Sequence, residues 1–391
     1  MPPLTLLRNA RIFMPEPFGL GDVLIGAERI LALGRALPLL PAELCATVDL
    51  GGARLVPGLI DAHVHVTGGG GESGPASRVP RLVFSALTRG GITTCVGVLG
   101  TDGTTRTVAE LVASTLALRA EGLSAYCWTG SYEVPPITLT GSVRGDVVFV
   151  DPVIGVGEVA ISDHRSSQPT SDEIARLAAD CHVAGLMTGK AGVLHLHLGN
   201  GARGLSVVRA LLDSTELPPR TFHPTHCNRR KALFDEAVAL TARGCTIDVT
   251  AFPVDEGEDA WSAPDAIERY LDAGAAPDRI TCSSDGGGCL PQYDLQGNLT
   301  SIGIGEPGAL ADALAELLSR GRALEAVLPI FTSNVASLLR LHQKGRIEVG
   351  GDADLVVLDD AHHVHDVIAR GRFVVRSKEP HVWGAFERAK A

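Results

Sequence analysis

No run of this chain comes near the roughly 20 consecutive apolar residues that a membrane-spanning helix needs, so a membrane partner is not expected. The opening segment, MPPLTLLRNARIFMPEP, lacks both the basic start and the long apolar stretch of a secretory leader, and is expected to be the first strand of the fold. Aromatic residues are scarce at 4%, which argues against base stacking as the main activity. No Lys/Arg-rich run stands out and the net charge is −11, so a nucleic-acid partner is not expected either. The eight cysteines form no CxxC pair and no even framework. In a chain of this size they point to a reducing compartment, and a cytoplasmic location is the expectation.

What is present is ordinary for a soluble globular protein: 45% hydrophobic and 20% charged residues. A chain of 391 residues suffices for one large domain and a small one. The first fifty or so residues read as short strands with turns (LTLLRNARIFM, GDVLIGAERILALG, ATVDLGGARLVPG), and the last fifty repeat the style (GRIEVGGDADLVVLDD, HDVIARGRFVVRS). The two ends are expected to pair into one small β domain, residues 1–57 plus 345–391. Between them, residues 58–344 alternate apolar runs with helical periodicity. The candidate strands are LIDAHVHV, ITTCVGVLG, LSAYCWTG, VIGVGEVAI, VLHLHLG, TFHPTHC, TIDVTAF and ITCSSDG. SDEIARLAADCHVAGLMTG and RKALFDEAVALTARG are two of the intervening helices. The alternation predicts an α/β fold with a parallel sheet, and eight such units predict a (β/α)8 barrel.

The fourth strand poses a question. VIGVGEVAI is apolar except for Glu158, and it runs directly into Asp163, His164 and Arg165. A charge inside such a strand costs several kcal/mol unless it is paired or binds a metal. In a barrel of this type the functional site lies at the C-terminal strand ends. Strand one ends in His63 and His65, which point to the same side because strand residues alternate. Strand four carries Glu158, strand five His195 and His197, strand six His223 and His226, and strand eight ends in Asp285. Histidines and carboxylates converging on one mouth suit one or two Zn²⁺ ions with a position open to water. Satisfied core histidines are the alternative. His195 lies one step deeper than His197 and is assigned to packing. The pattern does not separate His223 from His226, and His164 is expected to bond locally. His342, His362, His363, His365 and His381 fall near or in the small domain and read as surface or structural residues.

LVPGLIDAHVH followed by later His, His and Asp resembles the amidohydrolase superfamily of metal-dependent hydrolases. The segments HVHVTGGGGESGP, VGVLGTD, WTGSYEVPPITLTGSV, ISDHRS, HLGN, PTHCNR, SSDGGG and GNLTSIG are similar to its isoaspartyl (β-aspartyl) dipeptidases. The terminal strand sets match that family's small β domain.

The resemblance implies a zinc-dependent hydrolase acting on the isopeptide bond of β-Asp-X dipeptides. His63 and His65 would bind the more buried of two Zn²⁺ ions, with Asp285 touching it, and His197 and His226 would bind the second. A carboxylate and a hydroxide would bridge them. Asp285 is the implied general base and Tyr132 the implied donor to the carbonyl oxygen. A dipeptide with two carboxylates and one ammonium calls for Glu72 at the amine. It calls for Arg165 and Arg229 at the carboxylates, with Gly70 in the four-glycine run giving close backbone approach and Thr101 adding a hydrogen bond.

Two positions depart from the family pattern. Glu158 stands where the family has a carboxylated lysine, so Glu158 is the expected bridge, supplying the same charge and two oxygens on a shorter arm. Lys190 is the nearby lysine that could serve instead. Cys289 replaces a substrate-contacting serine, and a thiol is a weaker donor. Family members form homo-oligomers, octamers among them, and a similar assembly is expected. Two other readings stand beside this one: hydrolysis of another small amide (an N-acyl amino acid or a cyclic imide or ureide), and a barrel scaffold without catalysis.

Overall fold

The computed structural model describes residues 2–293 and 299–387. Gly297 and Asn298 of the GNLTSIG segment lie outside the described residues, as do Met1 and residues 388–391 at the ends of the expected small domain.

All eight anticipated barrel strands are present, in chain order Leu59–Val64, Ile92–Gly97, Ser124–Thr129, Val153–Ile161, Val193–Leu198, Phe222–Thr225, Ile247–Thr250 and Ile280–Ser283. The first six form one parallel sheet in sequence order, and the last two form a parallel pair. Side chains and single bridges complete the ring. Between strands six and seven, Thr225 Oγ1 donates to Asp248 and the Asn228 amide exchanges hydrogen bonds with the backbone of Thr250. Between strands eight and one, His65 N donates to Gly286 O at 2.8 Å beside a parallel bridge from Val64 to Gly286. Nearly every barrel-strand residue is buried, because helices cover the outside while side chains fill the inside.

The helices follow the sequence signals. Ser171–Thr188 starts with a capping box between Thr170 and Glu173 and stops at Gly189, which adopts the left-handed conformation. Its buried face, Ile174, Leu177, Ala178, Cys181, Ala184 and Gly185, follows the three-and-four spacing of an amphipathic helix.

A second sheet of nine strands joins the chain ends. Leu355–Leu358 pairs antiparallel with Arg54–Pro57, and Leu4–Phe13 lies on the other side of Arg54–Pro57. Leu7, Ile12, Val23, Leu55, Leu355 and Ile368 form its own apolar core. The structure is thus a barrel with a separate β domain.

Lys344 ties the two together. It is buried against Asp352 and Asp354, which lead into the sheet, and against Ser124 at the start of the third barrel strand. Burial alone would lower the ammonium pKa, but the two aspartates raise it, so the lysine stays charged. Replacing it with methionine strands the buried Asp354 and takes one of two cations from the half-buried Asp352, which keeps Arg29. Lys344→Met is therefore expected to destabilise the fold by about 3–5 kcal/mol, read as a lower urea midpoint. An unchanged midpoint would show that the ion pairs do not hold the domains together.

Candidate metal centre and substrate cavity

Each side chain at the barrel mouth is placed by a local backbone feature. On strand one, His63 and His65 alternate with Val64, so both imidazoles face the barrel axis. Asp61 anchors this strand: it accepts from His63 N at 3.1 Å and from the amide and hydroxyl of Ser284. Burial pushes its carboxyl up to about 7 against those hydrogen bonds.

Glu158 is aimed by a bulge. Strand four pairs with strand five at Val156↔Leu194 and again at Val159↔Leu196, so Gly157 and Glu158 together oppose His195. A Cβ on Gly157 would come within 2.7 Å of His195 Cβ and 2.8 Å of its carbonyl oxygen. Glycine is what lets the fourth strand approach closely enough for a short glutamate to reach the centre. His226 and Asp285 both have left-handed backbone, φ 60° and 54°, where the chain turns sharply off its strand and directs the side chain inward.

The resulting cluster is symmetric about Glu158. Its Oε1 lies 3.4 Å from Nε2 of both His63 and His65. Its Oε2 lies 3.0 Å from His197 Nδ1 and 3.6 Å from His226 Nε2. Asp285 Oδ1 sits 3.0 Å from His65 Nε2 and 3.4 Å from His63 Nε2. All six residues are buried. His63 Nε2, Glu158 Oε1 and Asp285 Oδ1 have no hydrogen-bond partner although they lie close together. Orphaned buried donors and acceptors are rare. Three that converge are a candidate ligand set, and the groups His63/His65/Asp285 and His63/Glu158/His226 each have the compactness needed to hold an ion.

The charges agree with this. Burial alone would raise the carboxyl of Glu158, but His63, His197 and His226 hold it well below the usual range. Burial opposes ionisation of Asp285 too, and His63 and His65 overcome it. Burial disfavours charge on His63, yet Glu158 and Asp285 pull its pKa well above normal. The centre is built to hold positive charge.

Above it opens a cavity of about 580 Å³, reached by every sequence-predicted site residue except His63, which lies beneath. The Tyr132 hydroxyl is 2.8 Å from His197 Nδ1, and burial followed by the nearby Glu158 charge keeps the phenol protonated. Glu72 Oε1 accepts from Thr101 Oγ1 at 2.9 Å and Arg165 Nη1 at 3.2 Å, whereas its Oε2 is buried without a partner. Arg229 lines the cavity and makes no ion pair among the described residues. Gly70, at φ 76°, has no room for a Cβ, which would meet Ser77 O at 2.4 Å. Cys289 packs beside it, its thiol pushed up to about 11 by burial and the Glu72 charge. Lys190 is not in this region: its ammonium donates to the carbonyls of Val147 and Val150.

Several contributors have roles that the sequence did not show. Asp163 receives Arg165 through two nitrogens and lies 3.0 Å from His197 Nε2, orienting both. The buried guanidinium of Arg106 donates to the carbonyls of Thr67, Gly69, Gly70 and Val79, shaping the glycine-rich loop that carries Glu72. His195 stacks on Trp128 as a packed residue should, but it also hydrogen-bonds to His63 and His223. The structure separates His223 from His226: the former faces the barrel interior, the latter Glu158. Asp163 lay inside the flagged ISDHRS segment without a role attached to it. The targets of Arg106 are backbone carbonyls, which leave no residue-type signature.

Residues 54–379 match the Amidohydrolase family. The chain belongs to the amidohydrolase family. Among solved structures, this amidohydrolase is similar to the β-aspartyl dipeptidase of Fervidobacterium islandicum AW-1 in complex with β-Asp-Leu dipeptide. The two share 40% identity with a TM-score of 0.90, covering 97% of this chain and 98% of that one. The resemblance to β-aspartyl dipeptidases therefore extends along nearly the whole chain. It is also similar to the allantoinase of Streptomyces avermitilis at 26% identity, over 90% of this chain and 85% of the relative. The dihydropyrimidinase of Brevibacillus agri shares its fold, with a TM-score of 0.67 at 17% identity, covering 98% of this chain and 97% of that one. Among the described residues no helix is long and apolar enough to cross a membrane.

The amidohydrolase centre depends on the approach of strand four to strand five. Gly157→Ala is expected to force the strands apart at His195, costing about 1–3 kcal/mol by overpacking and lowering bound metal as Glu158 withdraws. Denaturant titration and metal analysis of the purified variant check this, and normal values in both would show that the close approach is dispensable.

Proposed function

We propose that this amidohydrolase is a binuclear zinc β-aspartyl dipeptidase in which Glu158 is the bridging carboxylate. The observation that carries the metal reading is the division of the histidines by Glu158, one oxygen toward His63 and His65 and the other toward His197 and His226. His63, His65 and Asp285 would hold one ion, His197 and His226 the other. When bound, such a pair supplies Lewis acidity toward an amide carbonyl and lowers the pKa of a water.

The chain's own groups are suited to the rest. Asp285 is held as a carboxylate by His63 and His65, the form needed to accept a proton from water and return it to the leaving amine. Tyr132 keeps its proton and can donate to the carbonyl oxygen as charge develops there.

The substrate class follows from charge. Glu72 offers a free buried oxygen to an ammonium, and Arg229 offers a guanidinium that pairs with no acid among the described residues. Arg165, engaged by Asp163 and Glu72, joins them as a pre-positioned second fork. A zwitterion with separated carboxylates fits this arrangement. A neutral cyclic ureide would leave the charges of Glu72 and Arg229 unmatched beside it, which disfavours that alternative. The 40% likeness to a β-aspartyl dipeptidase supports the same choice.

The decisive experiment is a metal count on the purified protein together with β-Asp-Leu hydrolysis in CO2-depleted buffer. About two zinc ions per chain with undiminished activity is the expected result, with most metal and turnover lost in Glu158→Ala. Dependence on added bicarbonate, or full metal content in Glu158→Ala, would remove Glu158 from the bridge. For the substrate side, Arg229→Met is expected to raise KM for β-Asp-Leu by one to two orders of magnitude, roughly the worth of a charge-assisted pair, and to spare an analogue lacking the matching carboxylate. Equal losses on both would end its role in recognition, and a preference for a cyclic ureide over β-Asp-Leu would overturn the dipeptidase assignment.

A further inference from the structure

Beneath the centre the barrel core holds a continuous polar file. His63 Nδ1 lies 2.8 Å from His195 Nε2, His195 Nδ1 lies 2.9 Å from His223 Nδ1, and His223 Nε2 lies 3.1 Å from Thr281 Oγ1. Thr281 Oγ1 in turn donates to Asp248 Oδ1 at 2.7 Å. Asp248 also receives Thr225 Oγ1 at 2.7 Å and Ser283 Oγ at 2.6 Å. Every member is buried.

The direction of each bond can be worked out from the far end. Three hydroxyls converge on Asp248, and a carboxylate can only accept. Thr281 has one proton and gives it to Asp248, so toward His223 it can only accept. His223 must then carry its proton on Nε2, leaving Nδ1 as an acceptor. His195 therefore carries its proton on Nδ1 and accepts at Nε2. His63 is obliged to carry a proton on Nδ1, so that when the ring is neutral, as a metal ligand must be, its Nε2 holds the lone pair. That atom is the unpartnered nitrogen facing Glu158 and Asp285. His195 and His223 are wholly buried and neither hydrogen-bonds to a carboxylate among the described residues, so each is a neutral ring with one donor and one acceptor, as the file requires. Run in the opposite sense, the file would place a proton on His63 Nε2 and block it.

We infer that His195, His223, Thr281 and Asp248 are positioning residues that set the tautomer of His63, so that its Nε2 is presented as a ligand to the metal centre. The inference rests on the metal reading above but not on the choice of substrate. It assigns a purpose to two histidines and an aspartate that touch neither the cavity nor the proposed substrate.

The test measures zinc affinity of the metal-stripped protein by competition with a chromophoric chelator, in the wild type and in Thr281→Val, Thr281→Ser and His223→Phe. Valine keeps the volume of Thr281 and removes its hydroxyl, while serine keeps the hydroxyl. The expected result is a loss of affinity for one of the two ions in Thr281→Val and His223→Phe, near the lower end of the roughly 10–100-fold seen when a ligand's supporting partner is removed. Thr281→Ser should bind as the wild type does, and the melting temperature of metal-free Thr281→Val should show it folded. Should His223→Phe fail to fold, the valine and serine pair still decides. Wild-type affinity in a folded Thr281→Val would overturn the positioning role and leave the metal reading standing. A wild type that takes up no zinc would overturn both.

Discussion

The carboxylate of Glu158 is the constraint around which the barrel is arranged. It lies wholly buried in a strand whose other members are apolar or glycine, and a charge there is tolerable only if polar or cationic partners surround it. Four imidazoles do so, two on each oxygen, and they come from the ends of strands one, five and six. Holding four rings within reach of one carboxylate demands the bulge at Gly157 and Glu158, the left-handed turn at His226 and the tie from Asp61 to Ser284 that brings strand eight, and with it Asp285, alongside strand one. Relaxing any of these would leave a buried charge exposed to its own desolvation.

The polar demand extends downward as well as outward. An imidazole turned toward Glu158 has a second nitrogen that also needs a partner: His195 lies beneath His63, Asp163 at the cavity serves His197, and Thr250 serves His226. This explains why the barrel interior, usually filled by branched aliphatic side chains, contains histidines, threonines and an aspartate on strands five to eight. Above the centre the same logic shapes the cavity. Asp163 and Glu72 hold Arg165 in place, and Arg106 holds the loop that brings Glu72, so the groups that would meet a substrate are rigid before it arrives.

Much of this was legible from residue order alone. The eight strands were visible as apolar runs, the HxH pair by its alternation, and Glu158 as an acid where none belonged. The amidohydrolase resemblance then attached roles to His197, His226, Asp285, Tyr132 and Glu72. Legibility ended where partners are distant in sequence. Nothing local to Arg106 shows that it will reach back to the carbonyls of Gly69 and Gly70, and nothing local to His195 separates a packed ring from a hydrogen-bonded one. Whether Glu158 was long enough depended on how closely two strands approach.

The sequence by itself determined the barrel with its β domain and which histidines and acids gather at its mouth, because periodicity and residue chemistry are local properties. Tertiary structure alone decided which oxygen of Glu158 faces which pair of histidines. It also decided that His223 turns inward while His226 turns to the cluster, and that Arg165 is held by two acids while Arg229 pairs with none among the described residues. Those outcomes depend on angles and separations between strands far apart in the chain, and closing the ring fixes such quantities all at once.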